Sequence, residues 1–489
     1  MPVVESELRE LAAGVLLAGF EGARAPDWVL AALDRGLGGV VLFARNVVDD
    51  QQVAELSTRL RDRRERVVVG IDEEGGDVTR LDAGTGSLFP GPLALGAVAD
   101  PELTGSVAEG LGGRLAGCGV TLNLAPCADL TLTRDDPIIG VRSFGSDPAA
   151  AAAQVAAFVS GSQRYGVAAC AKHFPGHGAS TTDSHFALPV LRRTDSELRA
   201  AELIPFAAAV RAGVRAVMPG HLVVPEWGAE PATLNPKAIT GVLRGELGFT
   251  GTVVTDALEM GAVAGELGRV DGLAAAAVRA LVAGADALCI GGEIAAEAAV
   301  TQVTDAIVRA VRAGELTEDR LAEAAARVAE LGTVPAPPVG GAIDPDIGRS
   351  AARGAIRVRG RAGLAGPPLV VDVQVAPSMA AGAVPWGLGP RLAELLPGTR
   401  TVCAASGELD AGELAARVQG GGVVVTTRDA HRYPEATRLV TELVALGLDV
   451  VHVETGVPGP DLGAGCRVDT HGGSLVSLHA AAELLAGRS

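Results

Sequence analysis

The chain has 489 residues, with 58 acidic against 41 basic side chains, a net charge of -17 and an isoelectric point near 5.0. That balance leaves no basic face for nucleic acid or an anionic membrane, and no run of about 18 apolar residues free of charge supports a membrane span. The length exceeds one ordinary domain and implies two.

The chain opens on acidic residues ahead of an apolar run at 11–20, without the basic segment or cleavage site of a secretory leader. The cysteines at 118, 127, 170, 289, 403 and 466 form no Cys-x-x-Cys pair and read as buried thiols of a reducing compartment. The expectation is a soluble cytoplasmic protein.

Short apolar runs then alternate with alanine-rich helical stretches. The runs fall at 14–19, 39–43, 67–71, 120–124, 167–171, 216–218, 252–255 and 287–290, with helical patterns such as 47–64, 101–118, 148–165 and 195–212 between them. Near-continuous apolar strands separated by helices imply a parallel sheet, and eight such units predict an α/β fold of the (β/α)8 TIM-barrel type. A doubly wound open sheet is the alternative.

The barrel is predicted over residues 1–332. A proline- and glycine-rich linker follows at 333–348, and a smaller αβα sandwich domain at 349–489, with strands at 369–375, 401–404, 422–427 and 450–453. Gly387 and Gly389 lack the third glycine of a nucleotide fingerprint and open no clean βαβ unit, so no nucleotide site is expected.

Polar residues recur where the barrel strands end. Asp72, Glu73, Glu74, Asp77 and Arg80 follow the third run; Pro126 and Asp129 follow the fourth; Gly220 and His221 follow the sixth; Asp256 follows the seventh. Strand ends of different barrel units converge on one mouth, so these residues are expected to meet. Any one acid after a strand reads equally well as a helix cap, Asp256 included.

The densest polar stretch spans 169–189. Lys172 and His173 stand at the end of the fifth run, and Asp183 and His185 lie two residues apart on the loop beyond it, within reach of each other. An aspartate beside a histidine fixes the ring's tautomer and raises its basicity. A zinc reading would use His173, His177, Asp183 and His185. Pro175 and Gly176 forbid a helix presenting both 173 and 177 on one face, and no His-Glu-x-x-His pattern exists, so no metal and no cofactor are expected.

Lys172-His173-Phe-Pro-Gly-His177-Gly followed by Asp183-Ser-His185 resembles the signature of the family-3 glycoside hydrolases, in their bacterial β-N-acetylglucosaminidase branch. The resemblance covers most of the first 330 residues. It departs at Ala179, where the branch commonly has aspartate, and at Asp77, where the family often has arginine. It implies a retaining exo-β-N-acetylglucosaminidase with Asp256 as nucleophile and the Asp183–His185 pair as general acid/base. Asp72, Arg80, Arg142, Lys172 and His173 match sugar-gripping positions. The implied partner is a small carbohydrate, an N-acetylglucosaminide or a muropeptide released from peptidoglycan, with no nucleic acid or membrane.

Three alternatives stay open at this point. A phosphorylase could use the same residues, since a histidine acid/base would not repel phosphate. A β-glucosidase fits less well with the Asp-Ser-His piece, and a non-catalytic sugar-binding protein would be expected to have lost Asp256 or His185. His221 is a weaker candidate, His177 is expected to shape its loop, and Glu73, Glu74 and Glu259 read equally as solvated charges.

Overall fold

The computed structural model describes residues 4–180, 182, 188–264, 270–292, 296–333, 344–382, 385 and 387–488. By internal contacts the chain forms two units. Segments 74–103 and 140–145 group with the chain from residue 344 onward, and the rest forms the other unit. The interior of the predicted linker, 334–343, lies outside the described residues.

The first unit is built on eight parallel strands: β1 Leu16–Ala18, β2 Gly39–Leu42, β3 Val68–Ile71, β4 Leu122–Asn123, β5 Ala168–Phe174, β6 Ala216–Pro219, β7 Thr252–Val253 and β8 Leu288–Ile290. Their order is β7-β6-β5-β4-β3-β2-β1-β8. The two ends of that order join through a parallel bridge between Val254 and Ala287, with Thr255 N–H donating to the Ala287 carbonyl at 2.9 Å. The sheet is therefore closed, as the (β/α)8 reading expects and the open doubly wound sheet does not.

The helices between strands form where the sequence caps them. Asp49 accepts from Gln52 N–H ahead of Asp50–Arg63, and Asp147 accepts from Ala150 N–H ahead of Pro148–Ser162. The predicted helix at 195–212 is two helices, Asp195–Ala200 and Leu203–Arg211.

One apolar cluster takes Leu17, Val41, Val68, Leu122, Cys170, Met218, Val254 and Cys289 from all eight strand segments. Side chains on a strand alternate faces with a period of two. Asp72 thus continues the face of Val68, Lys172 that of Cys170, and Asp256 that of Val254, so charged groups stand directly above the apolar filling at the carboxyl ends.

The second unit carries a six-stranded mixed sheet. Its strands are β9 Arg357–Gly360, β10 Leu369–Gln374, β11 Arg400–Ala405, β12 Val423–Thr427, β13 Val450–Glu454 and β14 Cys466–Asp469, in the order β11-β10-β12-β13-β14-β9. All pairings are parallel except β14 with β9. Leu369, Val371, Val423 and Val425 pack on one face against helices Ala411–Arg417 and Pro434–Ala445. Val370, Val424, Val451 and Val468 pack on the other against Gly389–Leu395 and Leu475–Leu485. The expected αβα sandwich is present, with two strands, β9 and β14, beyond those predicted.

Candidate active site

Strand β3 ends at Ile71, and the next residue, Asp72, accepts a 2.7 Å bond from Nζ of Lys172 on β5. Lys172 is buried, while the Asp72 carboxylate keeps 17% of its surface. Asn123 at the end of β4 fixes the chain just beyond Asp72: its Oδ1 accepts from Glu73 N–H at 3.0 Å, and its Nδ2 donates to the Glu73 carbonyl at 2.8 Å. Sequence reasoning passed over Asn123, because only the pairing of β3 with β4 reveals its partner.

Asp256 follows β7 and is half-buried, and one of its oxygens accepts its own neighbour's N–H, from Ala257, at 2.8 Å. Both flanks of the residue are tied down. The Thr255 hydroxyl accepts from Cys289 N–H at 3.1 Å, and Nε2 of the fully buried His221 donates to the Ala257 carbonyl at 2.9 Å. His221 is thus a support for the Asp256 backbone. The N-cap alternative finds no helix starting at Ala257; the next one begins at Gly261.

Beneath these carboxylates sit two thiols. Burial pushes the Cys170 thiol up; Lys172 pulls it down, and the charges of Asp72 and Asp256 push it further up. Cys289 is raised for the same first reason, with Asp256, Glu259 and Asp72 adding to it. Burial and these nearby charges favour the neutral form of both thiols, which belong to the apolar cluster shared by the eight strand segments.

Between Lys172 and Phe174 the register of β5 against β6 shifts by one residue, leaving His173 as the bulged position. Its Nδ1 lies 2.7 Å from Oδ2 of Asp129, and its backbone N–H also donates to that carboxylate. Asp129 accepts from His177 N–H at 2.7 Å and from the Cys127 thiol at 3.2 Å. Burial alone would raise the Asp129 carboxyl; the charge and hydrogen bond of His173, with His177 behind them, outweigh it and bring it to about 2. Cys127, Asp129 and His173 have the donor atoms and closeness of a metal-binding group. Here those atoms are bonded to one another: thiol to carboxylate and ring to carboxylate.

The loop after β5 lies close against the chain beyond β4. A Cβ at Gly178 would fall 1.7 Å from the Leu130 carbonyl oxygen, so only glycine fits there, and the Gly178 carbonyl accepts from Leu132 N–H. Asp183 and His185 lie outside the described residues.

Arg80 and Arg142 group with the second unit, and each has partners there. Arg142 makes a two-pronged bond to Glu74, at 2.9 and 2.7 Å, with both residues buried. Arg80 donates to the Ala380 carbonyl at 2.9 Å. Asp77, where the family often has arginine, pairs with Arg428 and accepts from Gly473 N–H at 2.8 Å. Glu73, Glu74 and Glu259, which read equally as solvated charges, are all buried. Glu259 accepts from Gly292 N–H.

A closed parallel barrel that raises carboxylates, a lysine and a histidine at the carboxyl ends of its strands holds them where barrel enzymes carry their chemistry. Residues 17–331 match the glycosyl hydrolase family 3 N-terminal domain, and the chain belongs to that family. A β-hexosaminidase of Stenotrophomonas maltophilia is 39% identical over 259 residues, covering 51% of this chain and 76% of that one. A family-3 β-N-acetylglucosaminidase structure from Paenibacillus sp. covers 100% of this chain and 97% of its own, at 29% identity and a TM-score of 0.86. The NagZ structure from Neisseria gonorrhoeae, in complex with N-trifluoroacetyl-D-glucosamine, covers 65% of this chain and 98% of its own, at 29% identity and a TM-score of 0.54. Among the described residues no helix is long and apolar enough to cross a membrane.

Proposed function

We propose that the protein is a retaining exo-β-N-acetylglucosaminidase that removes terminal N-acetylglucosamine through a covalent glycosyl-enzyme. The observation that carries this reading is Asp256: a half-buried carboxylate at a strand end, its backbone held on both sides, in a family-3 chain similar over its full length to a β-N-acetylglucosaminidase. Asp256 attacks the anomeric carbon while His185, held by Asp183, protonates the departing oxygen. The same histidine then takes a proton from water, which opens the glycosyl ester and regenerates Asp256. Asp72, Lys172 and His173 grip sugar hydroxyls, and Arg80 and Arg142 serve as further sugar ligands. Fragments of peptidoglycan are the proposed source of the substrate, and a reducing, cytoplasmic setting accords with six unpaired cysteines, five of them buried.

The test is nitrophenol release from the N-acetyl-β-glucosaminide and the β-glucoside, each with and without phosphate, with a fluorosugar used to trap the intermediate. Expected are preference for the N-acetylglucosaminide, indifference to phosphate and labelling at Asp256. Formation of a sugar phosphate would make it a phosphorylase; labelling elsewhere would remove Asp256 from its role.

A further inference from the structure

We propose that Asp129 is the positioning residue of the sugar-binding histidine: it keeps the Nδ1 proton of His173 turned inward and leaves Nε2 as the atom offered to a sugar hydroxyl. The proposal rests on the reading of His173 as a sugar ligand and adds a residue that neither the motif nor the family resemblance singled out.

The geometry divides the carboxylate into two jobs. Oδ1 accepts the 2.7 Å bond from His177 N–H, and so holds the loop that leaves β5. Oδ2 faces the ring, 2.7 Å from Nδ1, and takes the Cys127 thiol at 3.2 Å. Asp129 is 1% exposed, so water does not compete for these bonds. A carboxylate is acceptor-only, and a ring nitrogen facing it must carry a proton. With Nδ1 so committed, Nε2 is the remaining nitrogen, and no group among the described residues bonds to it. His173 keeps 8% of its surface open, as a ligand of a small molecule requires. The thiol of Cys127 donates to the same oxygen, Oδ2, that faces the ring. On a bulged strand position, where pairing no longer fixes the side chain, such a second contact decides where the ring points.

Asp129→Asn separates the two jobs. The amide oxygen can keep the bond from His177 N–H, while the amide nitrogen faces the ring, donates to Nδ1 and drives the proton to Nε2. The experiment uses the full chain labelled with 15N-histidine, of which there are eight residues, and assigns His173 from the signals lost in His173→Gln. In the wild type, Nδ1 should carry a proton; a neutral ring protonated on Nε2 alone overturns the proposal. In Asp129→Asn the proton should move to Nε2 and kcat/KM on the N-acetylglucosaminide should fall ~10- to 100-fold, chiefly through KM, the size of one mispaired hydrogen bond in a desolvated site. An unchanged ring and unchanged KM in that variant also overturn it. Should the variant not fold, the wild-type spectrum alone decides. The ring state is read without substrate, so a wild-type enzyme that ignores N-acetylglucosaminides would refute the proposed function and not this assignment.

Discussion

Both units place carboxylates at the carboxyl ends of parallel strands, and the two sets differ in burial and in what bonds to them. In the second unit, Asp372 on β10 accepts from Leu388 and Gly389 N–H, and Glu454 at the end of β13 accepts from three backbone N–H groups and the Thr427 hydroxyl. Arg467 and Asp469 on β14 bond to each other at 2.8 Å. These side chains are buried, and burial raises the Asp372 and Glu454 carboxyls. In the barrel, Asp72 and Asp256 are half-buried, and the neighbouring Asn123, Thr255 and His221 hold backbone rather than carboxylate. The chain leaves β10 for β11 on one side and returns to β12 on the other, so the second sheet has the strand reversal at which open α/β sheets bind ligands. Asp372 spends its carboxylate there on a turn of its own chain. Asp372 and Glu454 thus serve turns of their own chain, whereas Asp72 is held by the Lys172 side chain and keeps part of its surface open.

The sharpest test of that contrast substitutes one carboxylate from each unit by its amide. Asp256→Asn should lower kcat by about ten-thousandfold or more, since an amide cannot form the glycosyl-enzyme. Glu454→Gln should leave kcat/KM unchanged and lower the melting temperature, because an amide nitrogen opposes backbone donors where an oxygen accepted them. Activity loss from Glu454→Gln in a folded protein would break the comparison.

Next in size is the acid/base. His185→Ala or Asp183→Ala should slow a poorly activated disaccharide by roughly a hundredfold or more, while a dinitrophenyl glycoside still forms the intermediate. Azide, which needs no general base, should restore turnover of the activated substrate and yield a β-glycosyl azide. Equal losses on both substrates without azide rescue would reduce His185 to a sugar ligand.

How much of this was legible in the sequence depends on where hydropathy stops. Each of the eight apolar runs overlaps a barrel strand, because strands covered on both faces leave no polar face to interrupt them. The fifth run stops at residue 171 whereas β5 continues to Phe174, since Lys172 and His173 are polar and still paired in the sheet. β9 is an exposed edge rich in arginine, and β14 hides the charges of Arg467 and Asp469 against each other, so neither shows an apolar run. In the site, Asp72, Lys172 and Asp256 were readable as charges at strand ends. Asp129 was visible there too, but its partner His173 lies 44 positions along the chain, and only the pairing of β4 with β5 brings the two together. The burial of Glu73, Glu74 and Glu259 was equally invisible, because their partners come from distant segments.

A smaller effect is expected from the cations. Lys172→Met removes the partner of Asp72 and a proposed sugar ligand, and should lower kcat/KM about tenfold to a hundredfold with the fold intact. Arg467→Met strands Asp469 among buried neighbours, and should cost stability without touching KM. The pair of variants is scored by KM and by urea midpoint; a KM change in the second or an unfolded first would erase the distinction drawn between the two ion pairs.

The smallest effect at neutral pH, and the one confined to the second unit, comes from His452. Its Nε2 lies 2.7 Å from the Thr427 hydroxyl, which donates to Glu454 and so must receive the ring's proton. Burial, then the charge of Arg467, bring the ring to about 4 from an ordinary 6.5, with Asp461 opposing weakly. Below pH 6.5 the unfolded chain takes up a proton that the folded ring refuses. Stability should therefore fall as pH drops from 6.5 toward 4, by about 3 kcal/mol over the whole window. Glu454, raised by burial and by Asp429, works in the opposite sense: its contribution is full below the ordinary value of 4.5 and is lost as pH rises through its raised folded value, so on acidification it offsets part of the loss from His452. Urea unfolding of the wild type and of His452→Gln at a series of pH values between 7 and 4 tests this. The wild-type midpoint should decline through that range and the variant's should be flatter, with kcat/KM at pH 7 the same in both. Parallel declines would mean that the acid sensitivity arises elsewhere, and the buried network at the ends of β12 and β13 would then be ordinary packing.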